Sequence, residues 1–273
     1  MIKLLALDMD GTLLDSHKKI PKAHITAIHQ AIEQGVKLVL CTGRPLVGVK
    51  PYYEELGLSN ENEYVIVDNG CAIHQSEDWK LLDYSALSRK DLIYLNQLAQ
   101  QTPAQLTIFD EERYLVVGEE PSNLVRYDAG LVFTEPVQIS LEEALAEDSP
   151  MFQAMFLAQP DQLDQFEADF HQDLSQRFSA VRSQDYIYET MPKGTTKASA
   201  LARLAEKLAI KPEEIMAIGD ANNDLEMLEF AGLGIAMGNA SDYVKSQADA
   251  VTTNNDQAGV ARAIEKYILK LEA

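Results

Sequence analysis

Apolar runs without polar alternation occur near both ends of the 273-residue chain. Such runs are typical of strands that other elements cover on both faces. Four of them predict strands, at 2–7, 36–41, 64–67 and 215–218. Between the first two, Ile25, Ile28 and Ile32 recur at helical spacing, with Pro21 before them and Gly35 after them as start and stop signals.

The last third of the chain repeats this alternation. Apolar residues lie at helical spacing over 198–208, the strand 215–218 follows, and another apolar run covers 233–237. Strands that alternate with helices in this way predict an α/β fold with a doubly wound parallel sheet, built from two separated blocks of sequence.

The stretch 84–188 has a different pattern. Apolar segments at 105–109 and 113–117 flank three acidic residues as a hairpin would, and further strands are predicted at 151–157 and 178–181. Helix signals lie among them, with a capping box from Ser140 to Glu143 and Pro160 ahead of an apolar periodicity. We therefore expect a discontinuous core, 1–83 and 189–273, and an α+β insert, 84–188, that covers the site and selects the substrate.

The charge balance limits the partners. Lys and Arg number 23 against 43 Asp and Glu, which gives a net charge of -20 and predicts no binding to nucleic acid. Because this field also repels small anions, a phosphate site needs its own local positive charge. No apolar run approaches the length that spans a bilayer, and Cys41 and Cys71 suit a reducing compartment as small core residues, so we expect a cytoplasmic protein.

The first predicted strand ends in Asp8-Met9-Asp10-Gly11. Side chains alternate along a strand, so Asp8 and Asp10 point the same way and Gly11 allows the chain to turn. Two carboxylates so close repel each other, and a divalent cation, Mg²⁺ above all, relieves this. One carboxylate can attack phosphorus while the second acts as acid and base. An ordinary turn is the alternative interpretation.

Polar residues also follow the other predicted strands, at the edge of a parallel sheet where ligands collect. Thr42-Gly43-Arg44 offers a hydroxyl and backbone N–H groups for phosphate, or a simple helix cap. Asp68-Asn69-Gly70 is predicted to be mainly a structural turn, with Asn69 as a candidate substrate contact.

A second acidic group follows the strand 215–218. Gly219-Asp220 to Asp224 presents Asp220 to the same edge, as a third metal carboxylate, and Asn223 can donate to phosphate. Helix capping is the alternative, but it needs only one such residue. Lys197, with Lys193 as the weaker candidate, precedes a helix, where a cation needs a compensating anion. The five histidines show no paired-ligand spacing.

Four motifs in order resemble those of the haloacid dehalogenase superfamily: Asp8 to Leu13, Thr42 to Arg44, Lys197, and Gly219 to Asp224. The insert is similar to the type C2B cap of subfamily IIB, the Cof-type hydrolases, and most of all to the YidA-like sugar phosphatases. The implied fold is a Rossmann-like core with an inserted α+β cap domain. Residues 195, 196 and 198 vary slightly from the usual pattern around the lysine.

The resemblance also implies a role for each motif residue. Asp8 is the nucleophile and a Mg²⁺ ligand, Asp10 is the acid/base and a ligand through its backbone carbonyl, and Asp220 is the third metal carboxylate. Lys197 is also catalytic. Phosphate binding is implied for Met9, Thr42, Gly43, Lys197 and Asn223, and supporting roles for Arg44 and Asp224.

The expected activity is Mg²⁺-dependent hydrolysis of a small phosphorylated metabolite through an aspartyl-phosphate, by a monomer or weak homodimer away from membranes. Asp10 favours a phosphatase or a phosphomutase, because the dehalogenases lack this second aspartate. Three alternatives stay open: a phosphomutase of the same cap class, a non-catalytic metabolite-binding or regulatory protein, and a phosphatase directed at nucleotides. Release of inorganic phosphate from a single monoester separates the first from hydrolysis.

Overall fold

The structure is a computed structural model that describes residues 1–58 and 63–271. Its strands are β1 (Leu4–Leu7), β2 (Lys37–Cys41), β3 (Tyr64–Val67), β4 (Ala72–Gln75), β5 (Leu81–Tyr84), β6 (Gln105–Phe109), β7 (Tyr114–Val117), β8 (Val137–Ile139), β9 (Gln153–Leu157), β10 (Phe178–Gln184), β11 (Ile187–Pro192), β12 (Ile215–Gly219), β13 (Leu233–Ala236) and β14 (Ala250–Val251). Its α-helices are α1 (Lys22–Glu33), α2 (Lys50–Leu56), α3 (Arg89–Ala99), α4 (Asn123–Leu131), α5 (Leu141–Ala146), α6 (Pro160–Arg177), α7 (Lys197–Lys207), α8 (Leu225–Phe230), α9 (Asp242–Gln247) and α10 (Gly259–Ile264).

The chain divides into two compact units. The core unit consists of Met1–Gly43, Pro51–Asp83 and Thr196–Ala273, and the inserted unit of Arg44–Lys50 and Tyr84–Thr195. The sequence placed the second boundary at 188, whereas β11 continues to Pro192. This strand pairs with β9 and β10, so its hydrogen bonds keep it with the insert.

The core unit contains an eight-stranded sheet in the order β14-β13-β12-β1-β2-β3-β4-β5. The strands from β14 to β3 are parallel, and β4 runs antiparallel to β3 after a tight turn. The prediction of an α/β fold with a parallel core sheet is therefore confirmed, with an antiparallel strand added towards one edge. Leu4, Val39 and Ile66 of the central strands share one apolar cluster with Leu201 and Leu204 of α7 and Leu228 of α8.

The register of the central strands brings distant motifs to one edge of this sheet. Leu7 lies opposite Ile218 on one side and Leu40 on the other, and the chain leaves β1, β2 and β12 in the same direction. The segments after residues 7, 41 and 219 therefore meet at the carboxyl edge of the sheet. Thr196 caps α7, because its side chain accepts a hydrogen bond from the Ser199 backbone N–H, and this places Lys197 in the first turn.

The inserted unit has its own six-stranded sheet, in the order β10-β11-β9-β6-β7-β8. Strands β6 and β7 form the predicted hairpin, and Ser140 caps α5 through the predicted capping box. Helices α3, α5 and α6 supply Leu95, Ala144 and Phe166 to a separate apolar core. The prediction of an α+β insert is confirmed. Among the described residues, no helix has the length and apolar character needed to span a membrane.

Candidate active site

Asp8 and Asp224 lie on either side of the Lys197 ammonium group. Lys197 Nζ is 2.7 Å from Asp8 Oδ1 and 2.7 Å from Asp224 Oδ1, and all three side chains are buried. Hydrogen bonds of this charge-assisted kind are short and directional. The three residues come from the end of β1, the first turn of α7 and the loop after β12, so the parallel sheet is what brings them together.

Asp224 holds the loop after β12 in place. Its Oδ2 accepts hydrogen bonds of 3.0 Å from the backbone N–H groups of Asp220 and Ala221. Gly219 leaves room for this arrangement, because a Cβ there would overlap the Asp224 carboxylate. Since both oxygens of Asp224 are engaged, this carboxylate orients Lys197 and the loop.

Asp220 lies against the turn that follows Asp10. Thr12 Oγ1 donates to Asp220 Oδ1 at 3.1 Å, and Asn239 Nδ2 donates to Asp220 Oδ2 at 3.3 Å. A Cβ on Gly11 would clash with the Asp220 carboxylate, and Gly11 has a φ of +83°. A glycine is therefore required at 11 both for the backbone conformation and for the close approach of Asp220.

The pKa values of Asp8, Asp220 and Lys197 differ from the ordinary values of these residue types. Burial, together with the negative charge of Asp224, raises the pKa of Asp8 well above its ordinary value. The same two causes raise the pKa of Asp220 to about 6. Burial alone would lower the pKa of Lys197, but the charges of Asp224 and Asp8 outweigh it and raise that pKa. The carboxylates thus carry more negative charge than one lysine balances.

These carboxylates fit a divalent cation. Oxygens of Asp8, Asp220 and Asp224 lie within 4.8 Å of one another. Asp8 Oδ2 is buried and has no hydrogen-bond partner among the described residues, whereas Asp224 uses both of its oxygens elsewhere. Asp8 therefore has an unengaged oxygen to offer. Each Asp220 oxygen accepts one hydrogen bond from an uncharged side chain and keeps a lone pair, whereas Asp224 Oδ2 accepts two hydrogen bonds and Oδ1 is paired with the Lys197 ammonium. Hard oxygen ligands such as those of Asp8 and Asp220 suit Mg²⁺.

The predicted phosphate-binding residues other than Lys197 follow β1, β2 and β12 at the same edge of the sheet. Thr42 follows β2 and is buried, and the Asn69 side chain lies between Gly43 and Asn223, whose Nδ2 donates to Asn69 Oδ1 at 3.2 Å. Met9 is buried, and its carbonyl accepts a 2.9 Å hydrogen bond from the Leu14 N–H.

The remaining predicted residues have partners elsewhere. Asp10 Oδ1 forms a 2.7 Å ion pair with Lys18. Arg44, in the inserted unit, donates to the Leu131 carbonyl at 3.1 Å, and Lys193 donates to the Ser175 carbonyl. Lys193, the weaker of the two lysine candidates, is thus tied to the backbone of the insert, while Lys197 contacts Asp8.

Sequence reasoning missed Asn239 and Lys18 and gave Thr12 no role. Asn239 donates to the Gly11 carbonyl at 2.8 Å as well as to Asp220, and it follows β13 closely. Asn239 therefore follows a strand of the parallel sheet at the same edge as Asp220. No sequence signal marks Lys18, whose contact with Asp10 depends on a turn with a φ of +57° at Lys18 itself.

Comparisons with known proteins agree with this geometry. A sequence model of the family described as haloacid dehalogenase-like hydrolase matches residues 5–264. The protein YxeH of Bacillus subtilis (strain 168) is 34% identical over 269 residues, which is 98% of this chain and 99% of YxeH. The 5-amino-6-(5-phospho-D-ribitylamino)uracil phosphatase YcsE of the same organism is 31% identical over 273 residues, 98% of this chain and 96% of YcsE.

A solved structure is similar over nearly the whole length. The crystal structure of a haloacid dehalogenase-like hydrolase from Bacteroides thetaiotaomicron superposes with a TM-score of 0.87 at 31% identity, covering 97% of this chain and 99% of that one. Phosphatases of this family generally use a divalent metal. The resemblance inferred from the sequence is confirmed, and the chain belongs to the haloacid dehalogenase-like hydrolases.

Proposed function

We propose that this chain is a Mg²⁺-dependent phosphatase that hydrolyses small phosphomonoesters, sugar phosphates above all, through an aspartyl-phosphate on Asp8. One observation carries the proposal: Asp8 is buried, its Oδ1 contacts Lys197, and its Oδ2 has no hydrogen-bond partner among the described residues. A carboxylate with one oxygen held and the other unengaged is oriented for attack on phosphorus.

In the first step, an oxygen of Asp8 attacks phosphorus and the bond to the ester oxygen breaks. Asp10 transfers its proton to that oxygen, so the product leaves as a neutral alcohol. Lys197 faces the oxygens of the transferred group with its positive charge. Thr42, the Gly43 backbone and Asn223 donate hydrogen bonds to the same oxygens.

In the second step, Asp10 takes a proton from water, whose oxygen attacks phosphorus. The bond between phosphorus and Asp8 breaks, which releases inorganic phosphate and restores the carboxylate. Asp10 has then regained the proton that it gave in the first step, so the cycle is balanced.

Mg²⁺ would be held by Asp8, Asp220 and the backbone carbonyl of Asp10. When bound, it supplies positive charge against the phosphate oxygens and against the repulsion among the carboxylates. Asp224 fixes Lys197 and the loop that carries Asp220, and Thr12 and Asn239 orient the Asp220 carboxylate. Hydrogen bonds from such partners restrict a ligand's orientation.

The resemblance and one relative support the proposed substrate class. The name of YcsE specifies a phosphorylated ribityl compound as its substrate, and that protein aligns with this chain over almost its full length. Selection of the substrate by the insert stays a prediction, as does a monomeric or weakly dimeric state.

The test is a phosphate-release screen over sugar phosphates, nucleotides and cofactor phosphates, with and without Mg²⁺. We expect release that needs Mg²⁺ and is strongest with a sugar phosphate. Asp8→Asn, purified in the same way, is the control for contaminating enzymes and should release no phosphate while its thermal unfolding stays cooperative. Activity of Asp8→Asn near that of the wild type would overturn the proposal, and so would a wild type inactive on the whole panel.

A further inference from the structure

The turn after β3 has a backbone that ordinary residues avoid. Asp68, Asn69 and Gly70 have φ values of 50°, 53° and 100°, so three successive residues adopt positive φ. The left-handed conformation is energetically unfavourable for non-glycine residues, although less so for asparagine and aspartate than for others. Such conformations persist where surrounding structure requires them, and they concentrate at functional sites.

Surrounding structure does require this turn. A Cβ on Gly70 would clash with the carbonyl oxygen of Thr196, which caps the helix that carries Lys197. The Asn69 backbone N–H donates to the Thr42 carbonyl at 3.0 Å. The turn is therefore packed between two motifs of the proposed site, one after β2 and the other at the start of α7.

The side chain of Asn69 extends this contact to a third motif. Its Oδ1 accepts from Asn223 Nδ2 at 3.2 Å, and a Cβ built on Gly43 would lie only 3.1 Å from Asn69 Nδ2. Asn69 is buried. One amide thus fills the space between Gly43 and Asn223, and it uses one of the two N–H groups of Asn223.

We propose that Asn69 is a positioning residue, which holds the Asn223 amide and the Thr42–Gly43 backbone in the arrangement that binds the phosphoryl group. This inference rests on the proposed function, because it assigns phosphate binding to Gly43 and Asn223. Asn69 acts through these two residues. Its bond fixes which way the Asn223 amide faces, so that the second N–H of Asn223 stays available to a phosphate oxygen.

Asn69→Gly is the main test, because glycine accepts the left-handed backbone and removes the side chain that carries the amide. We expect KM for the best monoester and the Kd of inorganic phosphate to rise together, by about tenfold, as for one lost hydrogen bond. We expect kcat to change by less than about threefold, because the same groups bind the phosphoryl group before and during transfer. Ala209→Gly is the matched control, since Ala209 also has a positive φ, of 53°, and lies after α7 in the core unit. It should leave both constants unchanged.

Two further variants separate positioning from a merely structural role. Asn69→Ala removes the same amide but, unlike glycine, strains the left-handed backbone. A merely structural role predicts that phosphate affinity follows Tm and falls further in Asn69→Ala than in Asn69→Gly, whereas positioning predicts the same rise in Kd in both variants although Tm falls more in Asn69→Ala. In a double-mutant cycle, Asn69→Gly should add less to the defect of Asn223→Ala than to the wild type, since one of the two residues through which Asn69 acts is then truncated.

The result that overturns the inference is unaltered phosphate affinity in Asn69→Gly, or defects of the two single variants that multiply in the double variant. Binding of inorganic phosphate is measured by calorimetry in Mg²⁺ buffer and needs no turnover. If the wild type hydrolyses nothing but binds phosphate, the proposed function fails while the role of Asn69 is still decided. If the wild type hydrolyses esters and Asn69→Gly binds phosphate normally, only the role of Asn69 fails.

Discussion

The carboxyl edge of the core sheet and the apolar core of the inserted unit bury their side chains for different purposes. At the sheet edge, Asp8, Lys197 and Asp224 are buried charges, each fixed by a partner within 2.7 Å. In the insert, Phe166 packs between Phe156 and Tyr188, with ring centroids 4.4 and 5.4 Å away. Burial stabilises the second region directly, because apolar area leaves water.

Burial of the charged side chains at the sheet edge, in contrast, lowers stability. Removing a charge from water is unfavourable, and it is offset only by opposite charges and hydrogen bonds placed at short range. The raised pKa of Asp8 and of Asp220 shows that this compensation is incomplete in the protein alone. The proposed site therefore depends on the stability of the surrounding sheet, whereas the aromatic core of the insert supplies stability.

The largest expected effect follows from removing the lysine between the two acids. Lys197→Met leaves Asp8 and Asp224 as buried carboxylates without a cation, and the loss of one partner from a buried pair costs about 3–5 kcal/mol. Hydrolysis should fall at least about 100-fold, because the charge facing the phosphoryl oxygens is lost. Urea unfolding in EDTA and phosphate release measure the two effects.

The double variant Lys197→Met with Asp8→Asn checks the cause. It removes one of the two uncompensated charges, so it should be more stable than Lys197→Met alone. A Lys197→Met protein as stable as the wild type would show that these buried charges are not balanced by Lys197.

A comparable loss of stability without an electrostatic cause is expected in the insert. Phe166→Ala removes a fully packed ring and should cost about 3–5 kcal/mol. Phe170→Ala, at a half-buried ring 5.2 Å from Phe166, is the control and should cost less. The loss, measured by urea unfolding, should be the same in Mg²⁺ and in EDTA, since the ring lies in an apolar cluster. A loss that Mg²⁺ changes would contradict the separation of the two regions.

The sequence allowed the sheet edge to be predicted better than the insert. Asp8, Thr42 and Asp220 follow strands whose apolar runs are uninterrupted, so the rule for parallel sheets places them together without knowledge of side-chain packing. Asn239 obeys the same rule after β13 and was missed, because a lone asparagine resembles an ordinary turn residue.

Other features depended on packing that no local pattern reports. Lys18 reaches Asp10 only through a turn with positive φ, and Asn69 contacts residues 43 and 223, which are distant in sequence. Strand β8 has three residues, so its pattern is too short to indicate a strand. The sequence predicts the end of the insert at 188, within β11, because the pairing of this strand with β9 and β10 as far as Pro192 is not visible in the sequence.

A smaller effect, which depends on pH, is expected at Glu63. It tests whether a carboxyl group outside the proposed site is also buried without an opposite charge to offset the loss of hydration. Glu63 is 2% exposed, and its Oε2 accepts a 2.9 Å hydrogen bond from the Leu38 N–H. Burial nevertheless raises the pKa of Glu63 to about 7 from an ordinary 4.5. The folded protein therefore binds this proton more tightly than the unfolded chain does, and its stability falls as pH rises from about 4.5 to about 7.

Glu63→Gln removes this loss of stability between about pH 4.5 and about pH 7. Its advantage over the wild type in the free energy of unfolding, measured by urea unfolding, should be absent near pH 4, grow up to about pH 7 and then stay constant, with an upper limit of roughly 3 kcal/mol. Glu214→Gln is the matched control, because the ion pair with Lys3 and a backbone hydrogen bond lower the pKa of Glu214. It should lose a little stability at neutral pH and none in acid. An advantage of Glu63→Gln that does not change with pH would contradict this assignment.

The smallest effect is expected at Lys18, which belongs to neither kind of buried region. Its ion pair with Asp10 is 2.7 Å long, but the Lys18 side chain is 56% exposed, so water and salt screen the attraction. Lys18→Met should change the free energy of unfolding by less than about 1 kcal/mol. It should lower kcat/KM no more than about threefold, and less at high salt, because Asp10 keeps its place in the turn. Lys19→Met removes an equal charge from the next position. A 30-fold loss confined to Lys18→Met would instead show that this exposed pair controls the proton on Asp10, and the functional charges would then extend beyond the buried edge of the sheet.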